Sequence, residues 1–370
     1  MCIRDSPKRV LPGQLPPRPK GRLIVLALGK AAVEMARVAE AHYGADLEGL
    51  AVAPHGTPAD LRTLELLYAG HPIPDDASVE AAERLLAFAH DAKPEDLVLV
   101  LLSGGASSLA CLPGPSLTLA NKQATTALLL RSGATIAEMN CVRRHMSRFK
   151  GGRLPASLTL AISDVVGDRP EDIGSGPTVA DPTTTRNARA ILARFGLDAP
   201  LSETPKQVEG DFRIVASAAD ALVAAAMEAE RLGYRPRLLG EVIGEAREIG
   251  QAHARLALAA PPGTALISGG ELTVMVTSTG VGRGGPNTEY ALAASLALAG
   301  RKDIIGLAAD TDGLDGTSGA AGAFIASRTD GESALAANDA ASVADLFTTG
   351  ATGTNVNDLR IILVAPRIGA

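Results

Sequence analysis

Arg22-Leu-Ile-Val-Leu-Ala-Leu28, followed at once by Gly29-Lys30 and the stretch Ala31–Ala41, decides the fold class. The apolar run is continuous rather than alternating, which is the mark of a strand covered on both faces in a parallel sheet. Past the Gly-Lys turn, Val33, Ala36 and Val38 fall on one face of a helix. The pattern then repeats. Ser78–His90 predicts an amphipathic helix leading through Pro94 to the strand Leu97–Leu102, and helices over Ser116–Ser132 and Ile136–Ser147 precede the strand Ser157–Ile162. Arg213–Ser217, a helix to Leu232, a short strand near Arg237–Leu239 and a helix to Leu258 complete a first α/β unit. Alternation of this kind implies a parallel sheet between helices.

At 370 residues the chain is long for one hydrophobic core, so two domains are expected. The Pro/Gly break Ala260-Pro-Pro-Gly263 predicts the boundary, giving units of 22–260 and 261–370. Beyond it, Ala265–Ser268, Gly269-Gly270 and Leu272–Thr277 read as a hairpin. A helix Asn287–Ala299, a strand Ile304–Ala309, a helix near Ala341–Phe347 and a strand Arg360–Val364 follow, so this unit is mixed α/β. Residues 1–21, with the Pro-rich Pro7–Pro19, are expected to pack nothing and are set aside as a disordered or non-native leader.

Composition narrows the function. With 46% apolar and 21% charged residues the chain is an ordinary globular protein. A formal charge of −6 disfavours nucleic acid as the main partner. No run reaches the roughly 18 apolar residues of a membrane span; Leu97–Leu102 and Tyr290–Gly300 come nearest. The start lacks signal-peptide order, and Cys2, Cys111 and Cys141 fit neither a disulfide framework nor a zinc pattern, so a cytoplasmic location is expected. None of the six histidines pairs at metal-ligand spacing.

The chemistry gathers where strands end. Asp310-Thr-Asp-Gly-Leu-Asp-Gly316 follows the strand Ile304–Ala309, and such carboxyl edges are where open α/β sheets bind ligands. Ser103-Gly-Gly-Ala-Ser-Ser108 offers glycines for close backbone approach and hydroxyls for hydrogen bonds, with Ser103, Gly104, Gly105 and Ser107 as candidates; a plain strand-to-helix turn is the competing reading. Gly280-Val-Gly-Arg-Gly-Gly285 has the spacing G-x-G-x-x-G, but no solidly apolar first strand precedes it. A loop presenting amides and Arg283 to an anion suits it better. Arg143, Arg144, His145, Arg148, Lys150 and Arg153 form a basic run ending at Gly151-Gly152, either a solvated helix face or an anion surface, with His145 a hydrogen-bonding member.

Taken together these motifs identify a resemblance. Leu28–Ala32, Leu102–Ser107, Val142–Ser147 with Lys150–Gly152, Ser163–Asp168 with Gly174–Thr178, Gly282–Glu289, Asp310–Gly316 and Gly353–Asp358 occur in the order found in glycerate 2-kinases with a C-terminal MOFRL domain. The resemblance implies a Rossmann-like N-terminal α/β domain and a smaller mixed α/β MOFRL domain. It implies ATP-dependent phosphorylation of D-glycerate to 2-phosphoglycerate in an interdomain cleft, with ATP and Mg²⁺. On that footing Lys30, Arg283 and Asp312 are the catalytic candidates, the first two for charge neutralisation and Asp312 as base or orienter. Ser103, Gly104, Gly105, Ser107, Arg143, Lys150, Asn287 and Asp310 would bind substrate or ATP, and Asp164 and Asp168 would hold the metal. One departure stands out: the family's Gly-Gly-Arg-Asn-Gln-Glu reads Gly284-Gly-Pro-Asn-Thr-Glu289 here. An NAD(P)H-dependent hydroxypyruvate reductase is the alternative, and a non-catalytic metabolite sensor the third.

Overall fold

The computed structural model describes residues 6–276 and 282–366, in two compact units divided between Ala216 and Ser217. The first carries six strands: β1 (Leu23–Leu28), β2 (Glu48–Pro54), β3 (Glu65–Ala69), β4 (Leu97–Leu102), β5 (Leu158–Ile162) and β6 (Asp211–Ala216). They lie in the order β3-β2-β1-β4-β5-β6, every neighbour parallel. This is the doubly wound order of Rossmann-type sheets. The apolar runs read from sequence are its central strands; every residue of β1 and β5 is buried. Leu26, Leu50, Leu85, Val100, Leu102 and Phe149 share one core, filled by aliphatic side chains as the scarcity of aromatics requires.

Helices begin where the sequence supplies caps. Asp75 with Ser78, Thr118 with Asn121, Thr135 with Glu138 and Thr184 with Asn187 form reciprocal capping boxes, each satisfying donors the first turn leaves unpaired. The helix Asp76–His90 packs over the sheet through Ala81, Ala82 and Leu85.

The second unit completes the strand set with β7 (Arg235–Glu241), β8 (Gly244–Glu245), β9 (Thr264–Gly269), β10 (Leu272–Thr273), β11 (Ile304–Asp310), β12 (Gly322–Ala326), β13 (Asp345–Phe347) and β14 (Asp358–Val364). Its main sheet runs β13-β12-β11-β14-β9-β7, antiparallel except where β7 joins β9. The mixed character expected from sequence is present. The helices Ala246–Ala259 and Pro286–Ala297 cover one face around the buried Tyr290.

Four expectations are corrected. The division falls at 216/217 and not at 260–263, because β7 pairs with β9 and takes residues 217–260 into the second unit. The Pro-Pro-Gly turn only reverses the chain, with Thr264 Oγ1 donating to Pro261 O at 2.6 Å. Leu272–Thr277 makes no hairpin with β9, both of whose edges are taken by β14 and β7; β10 instead pairs in parallel with β8, and Thr277 lies outside the described residues. Ala341–Phe347 is not a helix but the 3-10 turn Ala340–Ser342 followed by β13. Finally, the Pro-rich start packs: Leu11 is fully buried and the Tyr43 hydroxyl donates to Pro16 O at 2.6 Å. The short helix Pro7–Val10 lies against the helix Ala32–Tyr43. No helix among the described residues is long and apolar enough to cross a membrane.

His253 sits in the second core, its Nδ1 2.8 Å from the Tyr290 hydroxyl and the Arg360 guanidinium 5.4 Å from the Tyr290 ring centre. Burial, then the Arg360 charge, push its pKa down to about 4. The folded imidazole therefore refuses a proton that the unfolded chain accepts below about pH 6.5, and stability is lost as pH falls from 6.5 towards 4. From pH 7 to 5 this amounts to about 2 kcal/mol. Hydrogen exchange in the helix Ala246–Ala259 should show the loss in the native chain, and His253→Gln should remove most of it. An unchanged pH dependence in the variant would assign the loss to other groups.

Candidate active site

In the first unit, four strand ends meet at the carboxyl edge. Ser103 ties β1 to β4: its amide donates to Leu28 O at 3.0 Å, and its buried hydroxyl accepts from the Ala31 amide at 3.0 Å. Gly29, at φ 131°, has to be glycine, since a Cβ there would overlap both the Ser103 hydroxyl and its backbone. The Lys30 amide donates to Gly104 O at 2.8 Å, so the Gly-Lys turn and the Ser-Gly-Gly loop form one hydrogen-bonded surface. A Cβ on Gly104 would overlap the carboxylate of Asp164, which follows β5. One on Gly105 would press on the imidazole of His71, from the end of β3, at 2.8 Å and lie 3.3 Å from the Lys30 side chain. Lys30, His71, Gly104, Gly105 and Asp164 thus share one edge. His71 was not singled out from sequence because β3, which positions it, went unread.

Behind the loop lies a polar layer. Ser107 Oγ and Ser175 Oγ are 2.9 Å apart, Ser175 Oγ donates to Asn140 Oδ1 at 3.3 Å, and Asn140 Nδ2 donates to Asp172 at 3.0 Å. The basic run divides in two. Arg144 is buried between Asp172 (3.3 Å) and Asp181 (3.1 Å), an arrangement whose disruption costs about 3–5 kcal/mol. His145 donates from Nδ1 to Cys141 O, Arg148 to Pro113 O and Arg153 to Glu203 O, so these side chains brace the unit. Lys150 is fully buried, its Nζ donating to Ser107 O (2.6 Å) and Ala110 O (3.0 Å), with its pKa pushed down to about 7 mainly by burial. It therefore props the Ser103–Ser108 loop from within. Arg143 meets Asn140 Oδ1 at 3.3 Å, and burial lowers its pKa. Buried in the same unit is Lys122, absent from the sequence candidates; a lysine on a helix without a sharp apolar face gives no local sign of burial.

Asp168 stands in the turn after Asp164, at φ 51°, its amide donating to Val165 O at 3.0 Å. Among the described residues no three His, Cys, Asp or Glu side chains converge as a metal cage.

The second unit places its candidates differently. Asp312 Oδ1 accepts from the Leu314 amide at 2.8 Å and Oδ2 from Asn355 Nδ2 at 3.4 Å, while Asp310 Oδ1 accepts from the Asp312 amide at 2.9 Å. These carboxylates shape their own turn. Of the Gly280–Gly285 loop, Gly280 and Val281 lie outside the described residues. Arg283 donates from Nη2 to Ser318 O at 2.9 Å and from its amide to Asp339 at 2.7 Å. The N-terminus of the helix Pro286–Ala297 is capped by Asp315, which accepts from the Asn287 and Thr288 amides at 2.8 Å each. Burial raises the Asp315 pKa. Asn287 turns inward, Nδ2 donating to Asp358 at 2.7 Å, and Asp358 in turn pairs with buried Arg360.

A family model described as a domain of unknown function, DUF4147, matches residues 4–209, and the MOFRL family model matches residues 264–358. The chain is 44% identical to an Agrobacterium vitis protein that carries a hydroxypyruvate reductase name, over 97% of this chain and 91% of that one. It is 37% identical to the glycerate 2-kinase of Pyrococcus horikoshii, over 95% and 89%. The crystal structure of a glycerate kinase from Thermotoga maritima superposes with a TM-score of 0.86 at 35% identity, covering 97% of this chain and 95% of that one. With its DUF4147 region at 4–209 and its MOFRL region at 264–358, the chain belongs to the family of glycerate 2-kinases.

Proposed function

We propose that this chain transfers the γ-phosphoryl group of ATP to the 2-hydroxyl of D-glycerate. The observation that carries the reading is the turn after β1. In a sheet of order β3-β2-β1-β4-β5-β6, a dinucleotide enzyme keeps three glycines at this turn so that a pyrophosphate can approach the backbone. Here the turn is Gly29-Lys30-Ala31-Ala32; both alanines are buried, and a lysine stands where the phosphates would lie. A cation beside an amide-rich Ser-Gly-Gly loop suits phosphoryl transfer, which needs positioning and charge neutralisation rather than covalent help from the protein. It does not suit hydride transfer from a nicotinamide dinucleotide.

In the proposed reaction the 2-hydroxyl oxygen bonds to the γ-phosphorus, the bond from that phosphorus to the β,γ-bridging oxygen breaks, ADP leaves, and the hydroxyl proton passes to a base. Lys30 neutralises charge on the transferred group, and the Gly104–Gly105 backbone accepts its close approach. Arg283 and Asp312 keep the roles that the family resemblance implies, as a second cation and as base or orienter. A Mg²⁺ ion fits the donor set at the first unit's edge: the carboxylate of Asp164, with Asp168 in the neighbouring turn, against a loop open to phosphate, since Mg²⁺ takes one or two carboxylates and fills its shell with phosphates and water. When bound, it would neutralise phosphate charge, with Asp164 and, from the neighbouring turn, Asp168 as its protein ligands.

The purified chain with Mg-ATP should convert D-glycerate to 2-phosphoglycerate and not the 3-isomer, and should oxidise no NADH or NADPH with hydroxypyruvate. Reduction at a comparable rate would overturn the reading. Lys30→Ala should lower turnover at least ~10²-fold, the scale of losing one charge-stabilising donor; near-native turnover in the folded variant would remove Lys30 from the catalytic set.

Gly104→Ala separates stability from function at the same edge. The added methyl meets the end of the Asp164 side chain, which can swing away, so the thermal midpoint should move by only a few degrees. Turnover should nevertheless fall at least ~10-fold, and Asp164→Asn with Gly104→Ala should be no slower than Asp164→Asn alone. Additive losses in the double variant would mean that the two residues act separately.

A further inference from the structure

The helix Leu119–Arg131 buries two side chains, Leu129 and Lys122. Lys122 is 4% exposed, and its Nζ has no hydrogen-bond partner. The next residue, Gln123, donates to Pro74 O at 2.7 Å, which sets this helix against the segment that follows β3, and Lys122 lies within electrostatic reach of Arg143, Arg153 and Lys150. Among the described residues, no ion pair of Lys122 or Arg143 with a carboxylate is present. The contrast with Arg144 and Arg153 is direct, for these have Asp172, Asp181 and Glu203 as counter-charges. Arg143 meets a neutral amide oxygen, and Lys150 two backbone carbonyls.

A buried amine with no acceptor is unfavourable, burial here pushing its pKa down, and folds tolerate such a group where a ligand uses it. The ligand must be anionic to answer two cations, and small to reach a buried nitrogen. It must also lie close to the Ser103–Ser108 loop, because Lys150 joins this cluster to Ser107 O. The carboxylate of a short 2-hydroxy acid meets all three conditions.

We propose that Lys122, assisted by Arg143, binds the carboxylate of the acceptor substrate. The hydroxy acid is thereby held by the end that does not react, and its 2-hydroxyl is left facing the loop edge. The role as acceptor site rests on the kinase reading above; the binding itself does not. Lys122 is a specificity-determining residue in this account. Acceptors without a carboxylate, such as glycerol, lose their anchor.

The test compares the full-length chain with Lys122→Met, which keeps length and removes charge, with Lys122→Gln as a second variant should the first fail to fold, and with Lys122→Arg as the conservative rescue. KM for D-glycerate should rise at least ~10-fold in the Met or Gln variant while kcat and KM for ATP change less than about threefold, the pattern of lost uniform binding. D-glycerate should raise the thermal midpoint of the native chain but not of these variants, glycerol should raise neither, and Lys122→Arg should recover part of both effects. The Met variant alone should be at least as stable as the native chain, since an unpaired buried charge is gone. Unchanged KM for D-glycerate would show Lys122 to be structural and overturn the proposal. A rise confined to KM for ATP would assign the cluster to a nucleotide phosphate and overturn it equally. If the native chain fails to phosphorylate D-glycerate yet is stabilised by it in a Lys122-dependent manner, the binding site stands and the kinase reading falls.

Discussion

The candidate edge of the first unit depends on one close approach, that of Gly29 to Ser103. β1 and β4 are the central pair of the parallel sheet, and their ends could diverge once the ladder stops. Ser103 prevents it by donating its amide to Leu28 O and accepting the Ala31 amide on its hydroxyl, at the one place where a side chain on residue 29 is impossible. Everything of chemical interest there follows in sequence: Lys30 next to Gly29, Gly104 and Gly105 next to Ser103, and Asp164 seated against Gly104. A hydroxyl engaged in this way is structural first. That explains why a serine at the end of an apolar strand marks a site without being its reactive group.

Around this edge the protein separates charges that hold it together from charges that do not. Arg144 with Asp172 and Asp181, and Arg360 with Asp358 and the carbonyls of Gly269 and Gly270, are buried, paired and hydrogen-bonded. Removing one partner from such a set leaves the other uncompensated, at a cost of several kcal/mol. Lys122 has no such compensation, although it is buried to a similar depth. An aliphatic core offers few polar groups to satisfy a cation, so an unpaired one marks a position where packing alone did not choose the residue.

What could be read from the sequence follows from how local each signal is. β1, β4 and β5 were visible because strands buried on both faces are continuous apolar runs, and the Gly29-Lys30 turn because glycine there answers a local steric demand. β2 and β3 were missed: Glu48-Gly-Leu-Ala-Val-Ala-Pro54 mixes Gly, Ala and Pro, and Glu65-Leu-Leu-Tyr-Ala69 is too short to distinguish from a helical turn. With β3 went His71. The domain boundary was misplaced because Pro-Pro-Gly is a strong local break, whereas the β7–β9 pairing that binds residues 217–260 to the second unit is non-local, and the true division at Ser217 looks like any capped helix start. Lys122 left no signal, because its helix has no sharp apolar face and its burial is decided by packing that is non-local in sequence.

Two glycine-rich loops show why such grammar alone cannot assign function. Both have an aspartate where a Cβ would otherwise sit, Asp315 against Gly285 and Asp164 against Gly104. Asp315 is 3% exposed and spends both oxygens on the Asn287 and Thr288 amides, so the anion position at that helix start is filled by the chain's own carboxylate. Its raised pKa is the cost of burying a charge that the helix end then offsets. Asp164 is only half-buried, at a sheet edge beside a lysine, where water or a ligand can still reach the carboxylate. The first loop is sealed by its acid and the second is furnished by one. Burial, which no short motif encodes, separates a cap from a site.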